Sequence, residues 1–204
     1  MNRRAMPLPI RLAALTLVML LAACSQPAPQ PAEIKGVSLE GATIGGPFSL
    51  IDKAGQRVSS DQFKGKYRII YFGYTFCPDA CPTDVGVIMQ GYLKFAKDHA
   101  ALAAQVQPIF ISIDPARDTP ARIGLFTGAF SPKLLGLTGS QAEIDRVAGA
   151  FKVFKARGAQ TAGGYLMEHT RQAFLLGRDG QPIEVLPTDL GPAAVAADLA
   201  VSVR

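Results

Sequence analysis

The sequence predicts an α/β fold with one central sheet, helices on both faces and an N-terminal β-hairpin. Two segments, YRIIYFGY at 67–74 and VQPIFISI at 106–113, have the β-branched and aromatic composition of buried strands. Apolar residues at helical spacing follow the first of them at 83–99, and the chain closes with a hairpin and a helix. Strands that alternate with helices in this way favour a sheet that is covered on both sides.

The other elements can be placed in order along the chain. A hairpin begins the domain, with a strand at Phe48–Ile51 and a turn at Lys53–Gly55. Ser140 and Glu143 have the spacing of a capping box, which predicts that a helix starts there. The remaining predicted elements are a helix over 119–130 with Pro120 in its first turn, a strand at 134–139, a helix over 140–150, a hairpin of 171–177 and 182–186, and a helix from Pro192.

The start of the chain is typical of a secretory signal peptide. Three arginines within the first eleven residues precede an uncharged apolar run that ends at Ala23. This run is about a dozen residues long, whereas a membrane-spanning helix needs about 20. Residues 21–24, LAAC, resemble the lipobox of bacterial lipoproteins, in which the cysteine is lipidated and becomes the first residue. The alternative is a soluble precursor in which Cys24 is a spare thiol.

We therefore expect a lipoprotein signal peptide at 1–23, lipidated Cys24 with a flexible tether over 24–44, and one folded domain at 45–204. The signal segment carries three arginines and no acidic residue, so its removal lowers the formal charge from +5 to +2. No polybasic segment is left, which argues against a nucleic-acid partner. Contact with a membrane is expected through the lipid anchor.

The segment IIYFGYTFCPDACPTD at 69–84 places two cysteines at the start of a helix. Cys77 and Cys81 point the same way if the turn between them is helix-like, because residues four apart share one helix face. The partial positive charge at a helix N-terminus lowers thiol pKa values and favours the thiolate. Pro78 and Pro82 stiffen the loop. Such a pair predicts metal binding or redox chemistry.

A metal site needs further ligands, and the chain has two histidines. His99 lies among charged residues at a helix end and is expected on the surface. His169 lies just before a predicted strand, and the residues alone leave it open between a structural role and a ligand. Thiolates with an imidazole select soft ions such as Cu(I) or Zn, and three-coordination suits Cu(I) better because zinc usually takes a fourth ligand. Met167 and Glu168 are neighbouring candidates, although such a methionine more often fills a gap in the core.

Three separated motifs resemble the Sco/SenC copper-binding proteins. They are YFGYTFCPDACPTD at 71–84, FISIDPARDTP at 110–120 and EHTRQAFLLGRDG at 168–180, and the resemblance spans roughly residues 45–200. It implies a thioredoxin-like, peroxiredoxin-type fold. It also implies a role in assembling the dinuclear copper site, CuA, of cytochrome c oxidase subunit II.

The resemblance implies that Cys77, Cys81 and His169 bind copper, as Cu(I) or Cu(II). The family commonly has Asp before the histidine, whereas this chain has Glu168. Glu168, Asp79 and Asp114 are candidates for residues that surround the ligands. Asp79 has helix capping as its alternative role, and Asp114 follows a buried strand at its carboxyl end, where α/β folds place functional groups.

Two functions follow from these residues. The first is a copper metallochaperone on the membrane of a bacterial cell envelope, facing the periplasm, with subunit II of the oxidase and other copper carriers as partners. It needs reduced cysteines, and therefore a periplasmic thiol reductant. The alternative is a thiol-disulfide oxidoreductase in which Cys77 and Cys81 reduce the cysteines of that subunit. The spacing CxxxC and the histidine favour the first function.

Overall fold

The computed structural model of the protein describes residues 33–204, so the predicted signal peptide and Cys24 lie outside the described residues. Within this range ten strands form two sheets. The strands are β1 (Val37–Ser38), β2 (Ser49–Asp52), β3 (Arg57–Ser59), β4 (Tyr67–Gly73), β5 (Val106–Ser112), β6 (Leu135–Thr138), β7 (Lys155–Thr161), β8 (Gly164–His169), β9 (Ala173–Leu176) and β10 (Pro182–Val185).

The larger sheet is mixed, with the strand order β1-β10-β9-β4-β5-β6-β2-β3, and β7 and β8 form a separate pair. The pairs β4–β5 and β5–β6 are parallel, and the others are antiparallel. Parallel neighbours need crossover connections, which the helices supply. The helices are α1 (Ala80–Asp98), α2 (Ala100–Ala103), α3 (Pro120–Gly128), α4 (Gln141–Ala150) and α5 (Pro192–Ser202), with 3₁₀ turns at Ser60–Phe63 and Thr188–Leu190.

Aromatic contacts show that helices cover both faces of the sheet. On one face the ring of Phe110 lies 6.3 Å from Tyr71 and 4.9 Å from Phe126 of α3. Helix α1 lies on this face too, because its Asp84 accepts a hydrogen bond from Tyr71. The predicted α/β class with two covered faces is confirmed.

On the opposite face three phenylalanine rings pack together. Phe72 of β4 lies 5.3 Å from Phe151, at the end of α4, and 6.4 Å from Phe174 of β9. Phe72 is fully buried. Adjacent residues of β4 therefore serve different faces, as the alternation of side chains along a strand requires.

Most predicted elements occur within a few residues of their expected bounds. The capping box of Ser140 and Glu143 is present at the start of α4, and Pro120 lies in the first turn of α3. The first long helix begins at Ala80, between Cys77 and Cys81, where the sequence predicts its start. The structure contains no helix within residues 33–204 that is long and apolar enough to cross a membrane.

The pair β7–β8 is absent from the sequence prediction, which treats the chain around Gly163 and Gly164 as a loop before a strand. The sequence of β7, KARGAQT, is polar, and its residues are mostly exposed or half-buried, so no alternating pattern marks it. His169 is the last residue of β8, and the strand predicted to follow it is β9 at Ala173–Leu176. This difference matters because the hairpin carries a candidate ligand.

The sheet also takes in residues upstream of Gly45. Strand β1 pairs with β10, and the carboxylate of Asp198 in α5 accepts hydrogen bonds from the backbone N–H groups of Lys35 and Gly36 at 2.7–3.0 Å. A strand of two residues is too short to show an alternating sequence pattern, so its place in the sheet is determined by its contacts with α5 and β10.

Glu184 makes the stability of this region depend on pH. Its side chain is fully buried in β10, accepts a hydrogen bond from Ser202 at 2.7 Å and lies beside Asp198. Burial and the neighbouring Asp198 raise the pKa of Glu184 from 4.5 to about 7. Between these values the folded protein keeps a proton that the unfolded chain has lost, so the free energy of unfolding falls as pH rises from 4.5 to 7 and then levels off.

We expect Glu184→Gln to remove this dependence. The amide resembles the protonated acid, so the variant should match the wild type near pH 4.5 and exceed its free energy of unfolding by up to about 3 kcal/mol at pH 8, at 1.36 kcal/mol per pKa unit. Urea unfolding at a series of pH values measures the difference. A constant difference across this range would show that Glu184 does not titrate there.

Candidate metal centre

The turn between β4 and α1 brings two cysteines together. Strand β4 ends at Gly73, Cys77 lies in the turn, and Cys81 lies in the first turn of α1. A Cβ atom at position 73 would lie 3.1 Å from the Cys81 sulfur and 2.9 Å from the ring of Phe110. Glycine at the end of the strand therefore leaves the space that the buried thiol fills.

The two thiols are free and differ in exposure. Cys81 is fully buried, whereas Cys77 is half-buried. The backbone N–H of Cys81 donates a hydrogen bond to the Cys77 sulfur at 3.2 Å. The Cys81 thiol is also hydrogen-bonded to the Cys77 sulfur, so both side chains face the same side of the turn, as their spacing predicts.

The hairpin β7–β8 places His169 against this pair. Its Nε2 lies 3.3 Å from the Cys81 sulfur, and its Nδ1 lies 2.9 Å from the carbonyl oxygen of Thr170. A carbonyl only accepts hydrogen bonds, so Nδ1 carries the proton and the Nε2 lone pair faces the sulfur. This orientation, fixed by a bond from the other ring nitrogen, is the one that metal-binding histidines adopt. Tyr71 and Tyr74 pack edge-on against the imidazole at 6.3 and 6.0 Å.

Hydrogen bonding separates the acidities of the two thiols. The pKa of Cys77 is lowered because its sulfur accepts hydrogen bonds from the Cys81 thiol and from backbone N–H groups. The pKa of Cys81 is raised because its thiol donates to Cys77 and is buried. Hydrogen bonding therefore favours the thiolate form of Cys77 over that of Cys81.

Two sulfurs and one imidazole nitrogen form a donor set for a soft ion, whereas Ca and Mg prefer oxygen. Within residues 33–204 no three His, Cys, Asp or Glu side chains already have the spacing of a bound metal site. The donor types, two sulfurs and an imidazole nitrogen, are the feature that fits a soft ion.

The other candidate residues differ in how far their side chains are exposed. Asp79 is the cap residue of α1, but its exposed side chain makes no hydrogen bond to the helix backbone, which contradicts the capping alternative. Glu168 is exposed, Met167 is half-buried against the core, and His99 is exposed at the end of α1, as expected.

Asp114 lies after β5 and is buried, with only 4% of its surface exposed. Its carboxylate accepts hydrogen bonds from Arg117 and Tyr165. Asp114 therefore lies at the carboxyl end of β5, where α/β folds place functional groups. Its partner Arg117 belongs to the same loop, and its partner Tyr165 belongs to the hairpin.

A buried carboxylate beside the cysteines is missing from the sequence prediction. Asp84 accepts hydrogen bonds from Arg171 at 2.7 and 2.9 Å and from the Tyr71 hydroxyl at 2.8 Å. Arg171 follows His169 by two residues, so this ion pair ties α1 to the end of the hairpin. The only sequence signal for this residue was its position one helix turn after Cys81. Its partner Arg171 is 87 residues away in the sequence, so the ion pair could not be predicted.

Comparison with known proteins shows which family the chain belongs to. Residues 37–204 match the SCO1/SenC family. The human mitochondrial SCO1 homologue is 36% identical over 162 residues, 79% of this chain and 53% of that protein. A SCO2-like protein of Rickettsia conorii is 37% identical over 151 residues, 73% of this chain and 72% of that protein. The chain thus spans about half the length of the human and mouse relatives.

Solved structures agree with this assignment. The structure of Bradyrhizobium japonicum ScoI with copper bound is 41% identical, with a TM-score of 0.70 over 77% of this chain and 98% of that one. Yeast Sco1 with copper bound is 30% identical, with a TM-score of 0.69 over 78% of this chain and 88% of that one.

The fold and site together define a thioredoxin-like protein with a reduced dithiol next to an imidazole, and the expected fold is confirmed. The chain belongs to the SCO1/SenC family. The Sco family is described as a family of cytochrome c oxidase assembly proteins.

Proposed function

We propose that this protein is a copper metallochaperone that holds one copper ion with Cys77, Cys81 and His169 and delivers it to the CuA site of cytochrome c oxidase subunit II. The observation that carries the proposal is the 3.3 Å approach of the His169 Nε2 atom to the Cys81 sulfur. This approach joins residues 88 positions apart in the sequence. The copper-bound structures of relatives at 30% identity or more support copper as the ion.

Transfer of the ion would proceed by exchange of ligands, with no change in its charge. Cys77 is the half-buried donor and Cys81 the fully buried one. An incoming thiolate of the partner would therefore reach the ion from the side of Cys77. Three-coordination leaves a position open for that thiolate. Both cysteines must be reduced for this role, so the proposal includes a thiol reductant, and other copper carriers would supply the ion.

The location of the protein is part of the same proposal. Lipid on Cys24 would hold the domain on the membrane of a bacterial cell envelope, facing the periplasm. The support is the LAAC sequence at 21–24, together with bacterial relatives in Rickettsia. A membrane tether would keep the copper site near membrane-bound partners.

The unequal exposure of the two thiols favours a second candidate function, a thiol-disulfide oxidoreductase. Cys77 is accessible for attack on a partner disulfide, and buried Cys81 is placed to resolve the mixed disulfide. Two electrons and two protons would pass to the partner, which gains two thiols, while Cys77 and Cys81 form a disulfide. The same external thiol reductant would then restore the pair.

Replacement of His169 separates the two functions. We expect His169→Ala to weaken Cu(I) binding at least tenfold, because losing even an outer partner of a metal ligand costs about 10–100-fold. Titration of the reduced protein with Cu(I) against a competing chelator measures the affinity. His99→Ala is the matched control, because it removes the other histidine of the chain from an exposed position and should leave the affinity unchanged.

Unchanged copper affinity in His169→Ala would contradict the metallochaperone proposal. If that variant also reduced a disulfide substrate at the wild-type rate, the oxidoreductase function would be favoured. One ion per chain in the wild type and loss of affinity in the variant would support copper delivery.

A further inference from the structure

The hairpin that carries His169 makes no strand pairing with the main sheet. Within residues 33–204, strands β7 and β8 pair only with each other. At the base of the hairpin, the backbone N–H of Thr170 donates to the carbonyl oxygen of Phe154 at 3.1 Å, and the backbone N–H of Phe154 donates to the Thr170 hydroxyl at 3.0 Å. The hairpin is therefore held against the cysteine turn by its chain connections to α4 and β9 and by side-chain contacts with the rest of the domain.

The loop after β5, residues 114–118, is hydrogen-bonded to the cysteine turn between β4 and α1. The loop ends in Asp118, which is fully buried. Its carboxylate accepts hydrogen bonds from the backbone N–H of Thr75 at 3.1 and 3.2 Å, from the Thr75 hydroxyl at 2.6 Å and from Ser112 at 2.6 Å. Thr75 lies two residues before Cys77, so the loop and the turn are fixed to each other.

The same loop also contacts the hairpin through Asp114 and Arg117. The Tyr165 hydroxyl donates a hydrogen bond to Asp114 at 2.8 Å, and Arg117 donates to the second oxygen of the same carboxylate at 2.5 Å. The Arg117 guanidinium lies 3.6 Å from the centre of the Tyr165 ring and 4.9 Å from that of Phe76, the residue before Cys77. Its buried Nη2 atom has no hydrogen-bond partner within the described residues, so aromatic faces supply its remaining contacts.

Arg117 thus contacts both the hairpin and the cysteine turn, and Asp114 is hydrogen-bonded to both Arg117 and Tyr165. Asp114 and Arg117 belong to the loop that holds the cysteine turn, and Tyr165 lies four residues before His169 in β8. Gly164 brings the hairpin close, because a Cβ atom there would lie 3.3 Å from Arg117, and its φ of +112° is one that favours glycine.

We propose that Asp114, Arg117 and Tyr165 form a positioning cluster that holds His169 at bonding distance from the cysteine pair. The inference rests on the proposed copper function and extends it, because it assigns part of the metal affinity to residues that touch no metal. A histidine held in place before binding loses less conformational freedom when it ligates an ion, and this raises affinity.

Tyr165→Phe is the sharpest test, because it removes the hydroxyl bond to Asp114 and keeps the ring that stacks on Arg117. We expect Cu(I) affinity to fall about fivefold, less than the 10–100-fold of direct partners of metal ligands, because Tyr165 acts on His169 through the hairpin. Tyr67→Phe is the matched control. Its hydroxyl is also hydrogen-bonded, donating to the backbone carbonyl of Arg204 and accepting from the backbone N–H of the same residue, and its ring also contacts an arginine, at the far end of β4. The Cu(I) affinity of Tyr67→Phe should stay within about twofold of the wild-type value, because residue 67 lies at the end of β4 opposite the cysteine turn and distant sites act independently.

A double-mutant cycle with His169→Ala decides whether the cluster acts through the histidine. If it does, Tyr165→Phe lowers affinity in the wild type and has no further effect in His169→Ala. An equal loss in both backgrounds, or no loss in the wild type, would overturn the proposal. Asp114→Asn, which keeps the size of the side chain, should change affinity in the same direction.

A measurement on the metal-free protein tests the cluster independently of copper. Imidazole NMR signals report His169 and His99 separately, since the chain has two histidines. Tyr165→Phe should shift or broaden the His169 signal and leave that of His99 unchanged. An unaltered His169 signal would reject the positioning role, whereas copper affinity that does not depend on His169 at all would reject the proposed function instead.

Discussion

Cys81→Ser should reduce Cu(I) affinity by more than about 100-fold, because it removes a ligand, whereas outer partners alone account for 10–100-fold. A serine hydroxyl is a hard donor and a poor ligand for Cu(I). The buried sulfur is also the atom that lies 3.3 Å from the His169 Nε2 atom, so its loss affects two sides of the site. Competition with a Cu(I) chelator under reducing conditions measures the affinity.

Thr83→Ala provides the control for this variant. Thr83 lies two residues after Cys81 in the same helix turn, is exposed, and has only a 3.5 Å contact with Asp79. It should bind copper like the wild type. Cys77→Ser should resemble Cys81→Ser, and a Cys81→Ser protein that still held one tightly bound ion would place the copper site elsewhere.

Phe72→Ala should cause the largest loss of stability. The ring is fully buried between Phe151 and Phe174 on the face of the sheet away from Tyr71 and the cysteine turn. Truncation of a buried phenylalanine leaves a cavity and costs about 3–5 kcal/mol. The free energy of unfolding from urea titration should fall by this amount, while the remaining folded protein should bind copper with little change.

Phe154→Ala is the matched control, because the same truncation is made where 61% of the residue is exposed. Exposed substitutions usually change stability by no more than about 0.5 kcal/mol. If Phe72→Ala and Phe154→Ala lost similar amounts, the three-ring cluster would not be a main part of the core.

The regular elements were predictable because their signals are local. Strands β4 and β5 contain the apolar runs IIYF at 69–72 and PIFI at 108–111, as expected of strands buried on both faces. Helix α4 is marked by its capping box, and α3 by its proline. In contrast, β7 is polar and β1 has two residues, so neither has enough pattern to be recognised. Their positions depend on partners such as Asp198 and β8.

The candidate site divides in the same way. The shared direction of Cys77 and Cys81 follows from a spacing of four residues, so the sequence predicted it. The nearness of His169 came from resemblance to a family and not from spacing, because nothing local relates residues 88 positions apart. The bonds of Asp114 to Tyr165 and of Asp84 to Arg171 were not predictable, since each joins distant segments.

The sequence by itself determined the α/β class, the two faces of β4 and a pair of thiols at the start of a helix, because each depends on neighbours a few residues apart. Only the tertiary structure decided that the hairpin carries an imidazole to those thiols and that the loop after β5 holds the two together. Such contacts depend on side chains from separate segments, and their distances exist only once the sheet has assembled around its core.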